Sequence, residues 1–414
     1  MARKILGRLL RFTLLIVSAV VFGPIMLLAA WLEGFKQKKE KPRIFWGPHP
    51  LINIKYHSQA VKQLGYHSTT VVDKIFAINS EEDFDVLMTD LLNESLLFRC
   101  TPRRFRYLVA PYRTFLWALP RFDIYNLYFL GGMLYETPLK YWEMSFLRLA
   151  GKKTVFTAFG ADVQIMSRFH SLLFKHAQNV DYPDFTRQET MTLRNVEVFS
   201  RQADYIIAGV DWVDYMPRWN KLVSAHFAID TGTWKPSREW KATPVGKTIK
   251  VLHAPNHRTI KGTNLLIEAC QQLKEEGVPI ELVVVERAPN SRVRELIEEC
   301  DIVADQFIVG WYAMFALEGM SMGKPVLTYL RPDLLELYTL YSWAGECPLV
   351  NTHPMHIKET LRELVANPEL REELGKKGRA YVEKHHSLES IGQMFDEIYR
   401  ELWTPGKAGR ASSV

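Results

Sequence analysis

Arg258 and Lys261 lie three residues apart in the run HAPNHRTIKGTN, between an apolar strand pattern, Ile249–His253, and an amphipathic helix opened by Gly262-Thr263. Two cations beside a helix N-terminus suit a diphosphate, because the unpaired backbone N–H groups and the helix dipole already favour negative charge there. A second apolar strand pattern, 280–285, ends at Glu286, and Glu318 follows an apolar turn before Gly323-Lys324-Pro325. A carboxylate beyond a later strand suits ribose hydroxyls in doubly wound nucleotide folds. The order of basic pair, strand and carboxylate points to a nucleotide-sugar site, with Glu286 as a base-binding or structural residue.

The elements that position these residues alternate. Strand patterns at 43–46, 67–73, 123–129, 153–159 and 204–208 are separated by helical patterns at 53–64, 83–97, 139–149 and one ending at 196–202. Such alternation predicts a parallel sheet covered on both faces. It restarts after 234–246, a loop-like stretch with Pro236, Pro244 and Gly246, which reads as a linker between two Rossmann-like doubly wound α/β domains. Leu388–Leu402 has the apolar spacing of a helix.

The 414 residues favour two or three domains, and 47% hydrophobic against 24% charged residues suffices for large cores. A net charge of +6 admits nucleic acid as a partner, but no RNA- or DNA-binding motif is present, so an anionic membrane surface is the better match. Cys100, Cys270, Cys300 and Cys347 include no C-x-x-C pair, which argues against a zinc or dithiol site and fits a reducing compartment.

Residues 12–32 are free of charge, and 21 residues of helix span roughly 31 Å, enough for a bilayer core. Arg3, Lys4, Arg8 and Arg11 precede this run; Lys36, Lys38, Lys39, Lys41 and Arg43 follow it, with Trp31 placed as an interfacial anchor. The apolar run is long for a cleaved signal peptide, and the basic block after it argues for retention. Four basic residues against five leave orientation open. A helix broken at Gly23-Pro24 that returns to the same side would satisfy both flanks; an ordinary span also tolerates the proline. Residues 99–122 add six arginines with aromatics and no carboxylate, either a solvated face or a second lipid-docking surface.

The chain resembles retaining glycosyltransferases of the GT-B fold, the family 4 group, and within it the bacterial branch that builds surface polysaccharides and glycolipids. The likeness rests on HAPNHRTIKGT, IELVVVE and ADQFIVGWYAMFALEGMSMGKPV over about residues 249–385, and on WGPHP (46–50), KKTVFTAFGADVQ (152–164), ADYIIAG (203–209) and FAIDTGTWKP (227–236). It implies, after the membrane anchor and basic linker (1–42) read from the apolar run, an acceptor-binding domain (43–235), a donor-binding domain (247–385), a helix crossing back to the first domain (386–404) and a tail (405–414). Arg258, Lys261 and Asp162 would be catalytic. Gly262, Thr263, Glu286, Gly310, Tyr312, Ala313 and Glu318 would bind the donor, and Gly47 would lie on the acceptor side.

Glu318 matches the second glutamate of the family's E-x7-E motif, and Gly310 stands in place of the first, so backbone N–H groups of 310–313 would contact the donor instead. Asn256 stands where the family's arginine usually falls. Phe159 replaces the histidine of the H-G-x-D element that ends at Asp162. The implied reaction transfers a sugar from a UDP- or GDP-sugar to a lipid-linked or glycan acceptor, needing no metal or other cofactor, with the catalytic domains in the cytoplasm at a bacterial inner membrane. Other classes are a GT-B epimerase or phosphorylase and a catalytically inactive GT-B subunit that binds partners.

Overall fold

The computed structural model describes residues 2–76, 81–93, 102, 105–237 and 239–403. The central strands of its sheets are short runs buried on both faces, which is why they pair in parallel between helical layers. Strands β1 (Ile44–Trp46), β2 (Ser68–Val72), β3 (Val86–Leu87), β4 (Ile124–Tyr128), β5 (Lys153–Thr157), β6 (Tyr205–Ala208) and β7 (Lys221–Leu222) form one sheet. Its order is β3-β2-β1-β4-β5-β6-β7. Strands β8 (Ile249–His253), β9 (Ile280–Val284), β10 (Ile302–Ala304), β11 (Val326–Thr328) and β12 (Val350–Asn351) form a second, ordered β12-β11-β10-β8-β9. Every pairing in both sheets is parallel. Strand order reverses between β1 and β4 in the first sheet and between β8 and β10 in the second, and ligands of such folds bind outside the carboxyl ends of strands at that reversal.

The helices are α1 (Ala2–Glu33), α2 (Ile52–Gln63), α3 (Arg106–Ala118), α4 (Glu143–Leu149), α5 (Leu172–Asp181), α6 (Glu189–Gln202) and α7 (Arg258–Lys261). They continue with α8 (Thr263–Glu275), α9 (Asn290–Glu299), α10 (Met314–Ser321), α11 (Pro332–Tyr341), α12 (Ile357–Ala366), α13 (Pro368–His385) and α14 (Leu388–Leu402). Ser387 starts α14 by accepting the Ser390 N–H, a side-chain cap. Ile391, Phe395, Ile398 and Tyr399 then bury one stripe of α14 in the core of the first sheet. Gly392 lets that stripe close on α2: a Cβ there would lie 2.8 Å from the Ala60 carbonyl oxygen. The Tyr399 hydroxyl accepts a 2.9 Å hydrogen bond from Asn126 Nδ2 at β4. The last helix thus belongs, by packing, to the first half of the molecule.

Two sequence expectations are corrected. The helix expected at 83–97 is a strand, β3, between 3-10 turns at Glu81–Asp83 and Asp90–Leu92, with 94–97 outside the described residues. The reason is Asp85, whose carboxylate takes the Thr70 N–H (2.8 Å) and hydroxyl (3.0 Å) and so ties this segment to β2. The helix expected at 139–149 becomes α-helical only at Glu143, after a 3-10 turn, Lys140–Trp142. The Glu143 carboxylate is held by the N–H groups of Met133 and Leu134. Lastly, α1 is one continuous helix through Gly23-Pro24, the place where the sequence allowed a break.

Candidate active site

A cleft of about 510 Å³ opens between the two halves. The loops after β5 and β6 supply Phe159, Gln164 and Asp211, α5 supplies Phe174 and Gln178, and the loops after β8 and β10 supply His257, Gln306 and Ala313. The chain direction explains the placement, since carboxyl ends of parallel strands from both sheets face the gap.

Lys261 ends α7, directly after β8. Its ammonium lies 3.0 Å from Asp305 Oδ1, and Asp305 directly follows β10. The pair therefore sits at the strand-order reversal of the second sheet. Asp305 is buried, and its other oxygen accepts the Ala313 N–H at 3.1 Å. Glu318 on α10 is half-buried beside them. Burial pushes its carboxyl up to about 8, with Asp305 adding to the shift and Lys261 opposing it. One ammonium and two carboxyl groups thus share the place expected for a diphosphate and a ribose.

Arg258 opens α7 and lies 3.5 Å from Glu286, a pair about half exposed. Such a pair holds little energy, about 0–1 kcal/mol, and leaves Arg258 free to turn toward an anion. A short helix not expected from the sequence, α7, precedes the one opened by Gly262-Thr263, and N–H groups at its start are already paired. Those of Thr259 and Ile260 donate to Asp181 Oδ2 (3.1 and 3.0 Å), at the end of α5 in the other half. Beside this contact the Tyr182 hydroxyl lies 2.7 Å from His257 Nδ1. Gly262 links α7 to α8 in a left-handed conformation, φ 71°.

Five expected site residues are held by neighbours within the protein, and two of them, Tyr312 and Ala313, line the cleft. Thr263 is buried with its hydroxyl 2.9 Å from His253 Nε2, and the imidazole's Nδ1 meets the Ala304 carbonyl, so Thr263 offers the donor no side chain. Tyr312 is buried with its hydroxyl 3.1 Å from both Tyr381 and His386. The Ala313 N–H is spent on Asp305. Asp162, expected to be catalytic, is bonded to backbone. It is wholly buried, and its carboxylate accepts N–H bonds from Phe129 (3.0 Å), Phe159 (2.9 Å) and Gly160 (3.1 Å), which fixes the loops after β4 and β5. Burial pushes its carboxyl up to about 7 against those donors. Gly47, expected on the acceptor side, lies against β2, where a Cβ would be 2.0 Å from the Val71 carbonyl oxygen.

Gly310 has a structural reason for not being the expected glutamate. Its φ is 93°, and a Cβ would lie 2.9 Å from Arg331 Cβ. Arg331, at the start of α11, reaches across to Asp214.

Sequence reasoning passed over Asp305, Asp211, His49 and Asp181. Asp211 follows Val210, a non-glycine residue at φ 60°, and lies in the cleft wall with Oδ2 unpartnered. Burial pushes its carboxyl up to about 7; Asp214 raises it further and Arg331 opposes. Strain of that kind persists where surrounding structure over-determines it. His49 follows β1 at the first sheet's reversal, buried and with Nε2 unpartnered, and burial lowers it to about 3, so the ring is neutral. The signal for Asp211 and His49 was position: each follows an apolar strand by three residues.

Two Rossmann-like domains facing a cleft, with the last helix returned to the first, define the GT-B fold. Solved structures share it at low sequence identity. A sucrose-phosphate synthase from Thermosynechococcus elongatus superposes with a TM-score of 0.58 at 14% identity, over 88% of this chain and 99% of that one. An alpha-glucosyltransferase in complex with UDP and a mismatch-containing DNA gives 0.51 at 11% identity, over 87% and 100%. A glycosyltransferase from Rickettsia africae gives 0.50 at 12% identity, over 88% and 99%. No protein-family profile and no curated protein sequence matches the chain.

Proposed function

We propose that this chain is a membrane-associated retaining glycosyltransferase that moves a sugar from a nucleotide-diphosphate donor to a lipid-linked or glycan acceptor in polysaccharide or glycolipid synthesis. The observation that carries the reading is the convergence of Lys261, Asp305 and Glu318 at the strand-order reversal of the second sheet. UDP in the alpha-glucosyltransferase neighbour supports a nucleotide donor.

In this reading the leaving diphosphate gains negative charge as the glycosidic bond breaks. Lys261 exchanges Asp305 for the diphosphate, and Arg258 swings from Glu286 to join it. Glu318 receives the ribose hydroxyls. The acceptor enters from the side of β5 and β6, where Gln164 and Asp211 offer hydrogen-bonding groups among aromatic rings. The acceptor hydroxyl attacks from the leaving-group face and gives its proton to the donor phosphate, so no glycosyl-enzyme forms. A trapped covalent intermediate on any side chain would refute that step.

The decisive experiment measures nucleotide release from a panel of nucleotide-sugars by the detergent-solubilised protein, with membrane lipid extract and a Lys261→Ala control. Release that requires one donor and the lipid supports the reading. Nucleotide binding without release from any donor supports the second one, an inactive GT-B subunit, which the glycine at 310 favours.

A further inference from the structure

From Phe12 to Leu32 helix α1 carries no charge, with mean hydropathy 2.5 over its most apolar 18 residues, and by composition alone it would cross a bilayer. The tertiary structure gives it another setting. Ser18, Ala19, Phe22, Met26, Ala30 and Glu33, spaced as one helical face, are turned into the first domain. The Phe22 ring stacks on Tyr112 of α3 at 4.7 Å, and the Ser18 hydroxyl lies 3.2 Å from the Tyr112 hydroxyl. Met26 and Ala30 are wholly buried in that domain's core, and Gly23 lies against Leu139. Glu33 closes the contact through a buried pair with Lys152, Nζ to Oε1 3.2 Å. From Ser18 to Glu33 the helix runs flush against α3, α4 and the turn between β4 and α4.

A helix seated in this way cannot cross a bilayer upright unless it leaves the domain or carries it along. Carrying it would draw Arg121 and Arg148, exposed just beyond α3 and on α4, toward hydrocarbon, where cations are strongly disfavoured. The opposite face is a continuous apolar strip that includes Val17, Val21, Ile25, Leu28 and Leu32. Trp142 (61% exposed) and Leu149 are exposed on the elements that α1 packs against, and Trp31 and Phe35 mark its end.

We infer that α1 is a single-leaflet anchor. It lies along the membrane surface with its outer strip in lipid and its inner face on the first domain, and both of its ends stay on the side of the cleft. The occupant of the strip is an anionic bilayer. Exposed Lys36, Lys39 and Lys41 lie just past one end, and Arg3, Lys4, Arg8 and Arg11 precede the apolar run at the other. Basic flanks at both ends suit one headgroup layer, and Trp31 and Trp142 suit the same depth. An ordinary in-plane helix needs a polar face toward water. Here α3 and α4 cover that face, so the sequence can be apolar all round. The flanks are satisfied without a break at Gly23-Pro24.

The inference rests on the membrane association proposed above, and its test separates the two. The full-length protein is bound to vesicles of phosphatidylcholine and phosphatidylglycerol, with single spin labels at positions 17, 21, 28 and 32. All four are expected at similar, shallow depth, about 5–10 Å below the headgroups. A cysteine replacing Ala2 is expected to react with an impermeant reagent added on the side of the catalytic domains. Depth that passes steadily through the bilayer centre from 17 to 32, with residue 2 reachable only from the far side, overturns the inference and leaves membrane association standing. Failure of the folded protein to float with vesicles overturns both. Labels immobilised in a lipid-free dimer assign the strip to a second copy and overturn it as well.

Discussion

Arg331 of the second domain grips Asp214 of the first with two parallel hydrogen bonds, Nη1 to Oδ2 at 2.7 Å and Nη2 to Oδ1 at 2.8 Å. Both side chains are nearly buried, and Asp333 holds the remaining guanidinium edge. This planar fork ties the start of α11 in the second domain to the loop after β6 in the first. Asp214→Ala leaves Arg331 with Asp333 as its remaining partner. The expected loss is about 3 kcal/mol, the low end for a broken buried pair, read as a lower urea midpoint. An unchanged midpoint would show that the fork does not hold the domains.

The same arginine explains residue 310. Gly310→Glu restores the residue found at this place in the resembled family, yet it demands a left-handed backbone and a Cβ overlapping Arg331. The variant is expected to lose about 1–3 kcal/mol and to gain no turnover. A rise in nucleotide release with intact stability would contradict this account.

For Lys261, binding and folding can be separated. Lys261→Ala should lower nucleotide release about 10²- to 10³-fold, and it also strands the Asp305 carboxylate. Adding Asp305→Asn should recover the melting temperature without recovering turnover. Recovery of both would reduce Lys261 to a structural counterion.

With Glu318 as the proposed ribose ligand, nucleotide affinity should depend on pH. Its carboxyl is raised to about 8, so in the free protein it is largely protonated at neutral pH. Ribose hydroxyls donating to the ionised form require loss of that proton. UDP or GDP affinity should therefore rise with pH up to about 8, approaching tenfold per unit well below it. Glu318→Gln should flatten the profile in calorimetric titrations.

Asp162→Ala should act on folding rather than on chemistry. Each backbone donor left buried without a partner costs about 1–3 kcal/mol, and three lose one here. The folded fraction, assayed well below its melting temperature, should bind nucleotide as the parent does. A stable variant that binds nucleotide but does not turn over would return Asp162 to the catalytic group.

Much of the fold was legible in sequence because strand runs buried on both faces and helices with one apolar stripe have distinct spacings. Ile249–His253 and Leu388–Leu402 occur at their predicted bounds. The expected helix at 83–97 failed because Asp85 bonds to Thr70, fifteen residues away, and no local pattern records that bond.

The candidate site divides along the same line. Lys261 and Glu318 could be picked out because a cation before a helix and a carboxylate beyond a later strand are local signals. Asp305 as the partner of Lys261, Asp181 capping α7, and Arg331 filling the space beside Gly310 depend on residues brought together from distant parts of the chain. The first helix shows the division most plainly. Its sequence determined that it is apolar, helical and flanked by basic residues. Only the tertiary structure decided that one side is a domain core, because burial of Phe22, Met26 and Ala30 requires α3 and α4 to be there.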